Sequence, residues 1–137
     1  MLNLKQQAQV LEPLIVSQLS SFNFYSVALV VDNPRACLRA DTLAKYVSQV
    51  VFNTDRLTEY VYGVTHESMI KVLPLYMKEH VFYADPYKSI DDLGVGTLIQ
   101  GAVEKFRIIN PQVLIAMLGV HVSDPRWLLC KYFWAKM

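Results

Sequence analysis

Cys37 lies between Arg35 and Arg39 at the start of a helix predicted from Asn33 and Pro34. The thiolate is the nucleophilic form of cysteine, and two guanidinium groups beside a helix N-terminus favour it. This is the arrangement in the chain with the physics of an activated nucleophile, although nothing in the sequence sets a base beside it. The plainer reading is a buried, inert thiol. Arg35 and Arg39, about one helical turn apart, also form a candidate anion site for a phosphate or a carboxylate.

The histidines promise less. Thr65-His66-Glu67-Ser68-Met69-Ile70 begins like a zinc-protease helix, but Ile70 stands where the second histidine would complete the metal pair. His66 and His80 are fourteen residues apart, about 21 Å along a straight helix, too far to share an ion. His121, Asp124 and Cys130 gather around one turn without the short ligand spacing of a local zinc site. Gly94-Val95-Gly96, with Gly101 beyond it, follows a helix start and is not succeeded by Lys-Ser/Thr. That favours close packing or a kink over a phosphate loop. No metal and no cofactor is expected.

The last segment, residues 126–137, carries Trp127, Leu128, Leu129, Cys130, Tyr132, Phe133 and Trp134 around nearly the whole circumference of a helix. A helix apolar on all sides must be covered on all sides, and large aromatics are the usual anchors of protein contacts. Trp127, Tyr132, Phe133 and Trp134 are therefore the expected partner-binding residues, toward a protein partner or a second copy of the chain.

The chain has 137 residues, 53% of them hydrophobic, with two cysteines, five glycines and six prolines, which excludes collagen-like, disulfide-scaffold and disordered classes. It contains no Gly/Ser-rich linker or charge run, so one domain over residues 1–137 is expected. Thirteen basic and twelve acidic residues give a net charge of +1, and the cations are spread evenly, which argues against nucleic acid as a partner. Charged residues make up 18% of the chain, below the roughly 25% of an ordinary soluble domain. An uncharged surface of that kind points to association. The beginning of the chain lacks the pattern of a secretory signal, and the longest uncharged stretch, 13–31, holds too many polar groups for a membrane span. An intracellular, cytoplasmic protein with reduced cysteines is expected.

The elements follow from periodicity. Leu4, Ala8, Leu11, Ile15 and Leu19 predict an amphipathic helix, and residues 22–31 a short strand or extended segment. Asn33-Pro34 predicts the start of one long helix running to Phe52 along Ala36, Ala40, Leu43, Val47 and Val50. Asn53 or Thr54 caps the next helix and Thr65 another, which Pro74 is expected to kink or split. Ser89 is expected to cap a further helix, and Asn110-Pro111 opens an apolar run, 113–122, read as a helix closed by Gly119. The fold expected is mainly α, a compact single-domain bundle of five to seven helices with one strand near residues 22–31. The alternative is a small α/β sheet with 22–31 and 113–122 as parallel strands. The function expected is a non-enzymatic, intracellular protein-binding subunit or assembly component. Two alternatives are a small thiol-dependent enzyme or redox protein built on Cys37, and a nucleic-acid-binding helical domain.

Overall fold

The structure is a computed structural model, and it describes residues 27–123. Within them β1 (Ala28–Val31), β2 (Gln49–Asn53) and β3 (Leu114–Leu118) form one parallel sheet in the order β1-β2-β3. Val30 faces Val51 and Val31 faces Phe52 in the β1-β2 ladder. Between β1 and β2 the chain makes α1 (Pro34–Leu38), α2 (Ala40–Leu43) and a 3-10 turn, Ala44–Tyr46. Between β2 and β3 run α3 (Thr54–Tyr62), α4 (His66–Lys78), a wide π-type turn at Asp92–Gly96, and α5 (Thr97–Ile109). Parallel neighbours require crossovers of this kind, because a tight hairpin cannot return the chain in the same direction.

The mainly α expectation is therefore wrong: the described residues form an α/β fold, to which the small α/β alternative came nearer while lacking β2, the middle strand. The long helix predicted from Pro34 to Phe52 ends early: Arg39 leaves helical geometry between α1 and α2, and Val47 is fully extended at φ −131° and ψ 143°. Val50, Val51 and Phe52 then form β2, with Val50 and Phe52 buried and their neighbours half-buried. Helical spacing of Leu43, Val47 and Val50 is equally compatible with a strand of β-branched residues, and only pairing with β1 decides between them. The same ambiguity misassigns the run 113–122, of which Leu114–Leu118 forms β3 and the end, from Val120, a 3-10 turn. Asn110 opens no helix there; its amide donates to the Val47 carbonyl at 3.1 Å, and the Leu114 N–H donates to that of Ser48 at 3.0 Å. The strand read across 22–31 is present at Ala28–Val31, and residues 22–26, like the helix predicted over 4–19, lie outside the described residues.

Three local helix-start signals hold, whereas the cap expected at Ser89 is supplied instead by Asp91, which accepts from the Leu93 N–H at 3.1 Å. Asn33 caps α1 and is followed by Pro34, Asn53 caps α3, and Thr65 caps α4, each side chain accepting from the backbone N–H three residues on. Gly63 ends α3 at φ +67°, the left-handed conformation that a side chain resists. Pro74 neither splits nor ends α4, which runs unbroken across it. The glycines of 94–96 sit in the π-type turn, where a Cβ on Gly94 would crowd the Asp91 carboxylate and Val61.

The described residues divide into two compact units. One comprises 27–52 with Leu98–Ala116, the other Asn53–Thr97 with 117–123. In the first, α5 buries Ile99, Ala102, Val103 and Phe106, and the Phe106 ring meets Phe52 edge to face at 6.5 Å. In the second, Leu57, Thr58 and Met69 are buried, and Phe82 takes Tyr62 and Tyr76 edge-on, each at 5.4 Å.

Candidate functional site

In open parallel sheets, ligands bind beyond the carboxyl ends of the strands, where the loops leave the sheet. The loop after β1 carries Asp32, Asn33 and Arg35. Asn33 donates to Asp32 at 2.8 Å and caps α1, while the Arg35 side chain belongs to an exposed residue. Arg39, one turn on, is directed to its own segment: Nη2 donates to Thr42 Oγ1 at 2.7 Å, and Nε lies 3.8 Å from Asp41. The two arginines thus have different roles, and of the predicted pair Arg35 is the one left facing outward beside the end of β1.

Cys37 does not have the environment expected of a nucleophile. It is buried within the first unit, and loss of hydration pushes its thiol up to about 11, against which its own backbone hydrogen bond and the Lys105 charge are weaker influences. Lys105 itself donates to the Leu38 carbonyl at 2.9 Å. The flanking guanidiniums fail to activate the sulfur because their side chains lead away from it while Cys37 points into the core. We expect Cys37, followed in a Cys130→Ser chain, to resist a disulfide reagent at pH 8 when folded and to react at once in denaturant; rapid labelling of Cys37 in the folded chain would contradict the burial. Since the folded value lies above the ordinary one, the stability that this neutral thiol contributes is whole below about pH 9 and is lost as pH rises through about 11.

The loops after β2 and β3 build a tighter constellation inside the second unit. Thr54 and Asp55 follow β2, and Gly119, Val120 and His121 follow β3. The His121 ring is wholly buried, as is Thr54. Ring Nε2 lies 2.8 Å from the Pro86 carbonyl and Nδ1 lies 2.9 Å from Thr54 Oγ1. Thr54 Oγ1 also stands 3.2 Å from the Leu118 carbonyl. Asp55 Oδ1 accepts from the Val120 N–H at 3.0 Å and lies 3.7 Å from His121 Nδ1. Gly119 makes room for this meeting: at φ +124° it brings the backbone against Thr54 and Asp55, where a Cβ would stand 2.8 Å from Asp55 Oδ1.

Of the residues considered with a zinc at this turn, His121 alone is among those described. Both ring nitrogens are engaged by the protein, Asp124 and Cys130 lie outside the described residues, and among those described no group of His, Cys, Asp and Glu is placed to hold a metal. His66 stacks on Tyr87 at 4.2 Å, and the Tyr87 hydroxyl donates to the Val64 carbonyl at 3.2 Å. Burial first, then the charges of Glu59, Asp55 and Asp85, push that phenol up to about 12. The partner-binding aromatics Trp127, Tyr132, Phe133 and Trp134 lie outside the described residues. Among the described residues no helix is long and apolar enough to cross a membrane.

The sequence marks Thr54 and Gly119 only as helix boundaries and assigns Asp55 and Pro86 no place in a site. A signal was available: Asn53-Thr54-Asp55 and Gly119-Val120-His121 each interrupt a run of β-formers with polar or left-handed residues, which is how strands of a parallel sheet end.

No family model matches the chain. Against individual proteins it is 32% identical over 101 residues to pyruvate, phosphate dikinase of Rickettsia bellii, a match covering 74% of this chain and 12% of that protein. The chloroplastic pyruvate, phosphate dikinase 1 of Arabidopsis thaliana is 36% identical over 101 residues, covering 74% of this chain and 10% of the plant protein. The chloroplastic enzyme of Mesembryanthemum crystallinum is 32% identical over 111 residues, 81% of this chain and 12% of its own length. These relatives are enzymes. The chain spans only about 10–13% of the length of the curated relatives it matches. The expectation of a non-enzymatic binding subunit or assembly component is overturned by these matches. Low charge misled because it reports how much uncharged surface a chain has, and a chain comparable to a tenth of a large enzyme has such surface whatever its chemistry.

Proposed function

We propose that this chain works as part of a phosphoryl-transfer enzyme of the pyruvate, phosphate dikinase kind, its loop after β1 facing a small anionic substrate. The observation that carries the reading is identity of 31–36% to several such enzymes over 74–81% of the chain. The α/β architecture supports it, because it places loops rich in polar residues beyond the strand ends. In this reading Arg35 is the anion contact, and Arg39 holds the loop through Asp41 and Thr42. The partner is a carboxylate or phosphate and not a nucleic acid, and the setting is an intracellular compartment in which Cys37 stays reduced.

Titration of the full chain with pyruvate and with inorganic phosphate, followed by ligand-observed NMR, tests the proposal. Saturable binding of at least one is expected, and Arg35→Ala should weaken it about tenfold or more, as loss of a charge-assisted hydrogen bond of about 1.5–3 kcal/mol implies. Arg39→Ala should weaken it less. A folded chain that binds neither anion would overturn the assignment.

A further inference from the structure

Around His121 there are more acceptors than protons to serve them. The Pro86 carbonyl can only accept, so Nε2, at 2.8 Å, carries a hydrogen whatever the charge of the ring. On the other side Thr54 has one hydroxyl proton and two claimants, His121 Nδ1 at 2.9 Å and the Leu118 carbonyl at 3.2 Å. With the ring neutral, Nδ1 is a bare acceptor, the hydroxyl must donate to it, and the Leu118 carbonyl loses Thr54 as a donor. With the ring protonated, Nδ1–H donates to Thr54 Oγ1, and the hydroxyl is released to the carbonyl at the end of β3.

We propose that Thr54, Asp55 and His121 form a proton-operated latch that fastens the exit of β3 to the start of α3. The proton comes from solvent by way of Asp55, whose side chain is 38% exposed and whose Oδ1 lies 3.7 Å from Nδ1. Asp55 then stands opposite the imidazolium while still accepting from the Val120 N–H at 3.0 Å. Ring protonation thus adds a hydrogen bond between Thr54 and Leu118 and an ion pair between Asp55 and His121, both tying the exit of β3 to the start of α3. The other charged groups near these elements are engaged elsewhere: Glu59 pairs with Arg56 at 2.6 Å, and Asp85 accepts from the Tyr87 N–H at 2.9 Å and lies 4.0 Å from Lys88. Asp55 is the counter-charge within reach of the ring. The latch stands independently of the anion-binding reading, since it uses only groups within the second unit.

The test follows the ring and the carbonyl separately in the full, isotopically labelled chain from about pH 5 to 8, where histidine changes charge. Long-range ¹⁵N spectra should show the neutral ring with its hydrogen on Nε2, and the Leu118 carbonyl ¹³C resonance should move downfield in step with ring protonation. Thr54→Val should abolish the Leu118 response, and Thr54→Ser, which keeps the hydroxyl with little change of shape, should retain it. A neutral ring protonated on Nδ1, a ring that keeps one charge state across the range, or a Leu118 carbonyl that stays still while the wild-type ring titrates would each overturn the proposal. These readouts come from the wild type, so they decide the matter even if Thr54→Val fails to fold.

Discussion

Replacing Phe106 with alanine is expected to lower the unfolding free energy by about 3–5 kcal/mol, the usual result of emptying an aromatic-sized space in a core. Phe106 is fully buried on the inward face of α5, with Ile99, Ala102 and Val103 on the same face, and its ring meets the equally buried Phe52 of β2 at 6.5 Å and 76°. Truncation removes the packed area and also the edge-to-face contact, which contributes about 0.5–1.5 kcal/mol beyond burial. Small domains hold only about 5–15 kcal/mol in all, so the variant should unfold at markedly lower urea concentration. Phe106→Leu should recover much of the loss, because it refills most of the volume. Urea titration with an unchanged midpoint for Phe106→Ala would mean that this ring is not in the core.

Gly119→Ala should be nearly as damaging, although it adds a single methyl group to a half-buried residue. Two costs combine. The backbone at φ +124° is one that side chains resist, at about 1–3 kcal/mol. The new Cβ would also run into Thr54 Oγ1 and stand 2.8 Å from Asp55 Oδ1, the atoms that hold His121 Nδ1 and the Val120 N–H. Relief requires the loop to move, and movement breaks those bonds and leaves buried polar groups unsatisfied, at about 1–3 kcal/mol each. The expected total is about 3 kcal/mol or more, with a loss of the His121 ring signals characteristic of the folded chain. Gly101→Ala is the matched control: nothing lies within 4 Å of its added Cβ, and helix propensity favours alanine there. Equal behaviour of the two variants in thermal melts would refute the close approach at Gly119.

The sequence by itself determined the punctuation of the molecule. Asn33-Pro34, Asn53, Gly63 and Thr65 mark helix boundaries through interactions with residues only three or four positions away, so their physics is complete in a short window. The absence of a zinc pair at His66 was legible for the same reason, since Ile70 occupies the required position. Local sequence could not decide whether 47–52 and 113–118 are helical or extended, because β-branched and aliphatic runs satisfy both periods until a neighbouring strand supplies hydrogen bonds. Nor could it show that Cys37 is insulated from Arg35 and Arg39, as the direction of a side chain depends on which face of α1 is packed. The meeting of Thr54 and Asp55 with Pro86, Gly119 and His121 depended wholly on tertiary structure. Those residues are separated by as many as 67 positions, and parallel strand order brings their loops to the same end of the sheet, a relation that composition and spacing do not encode.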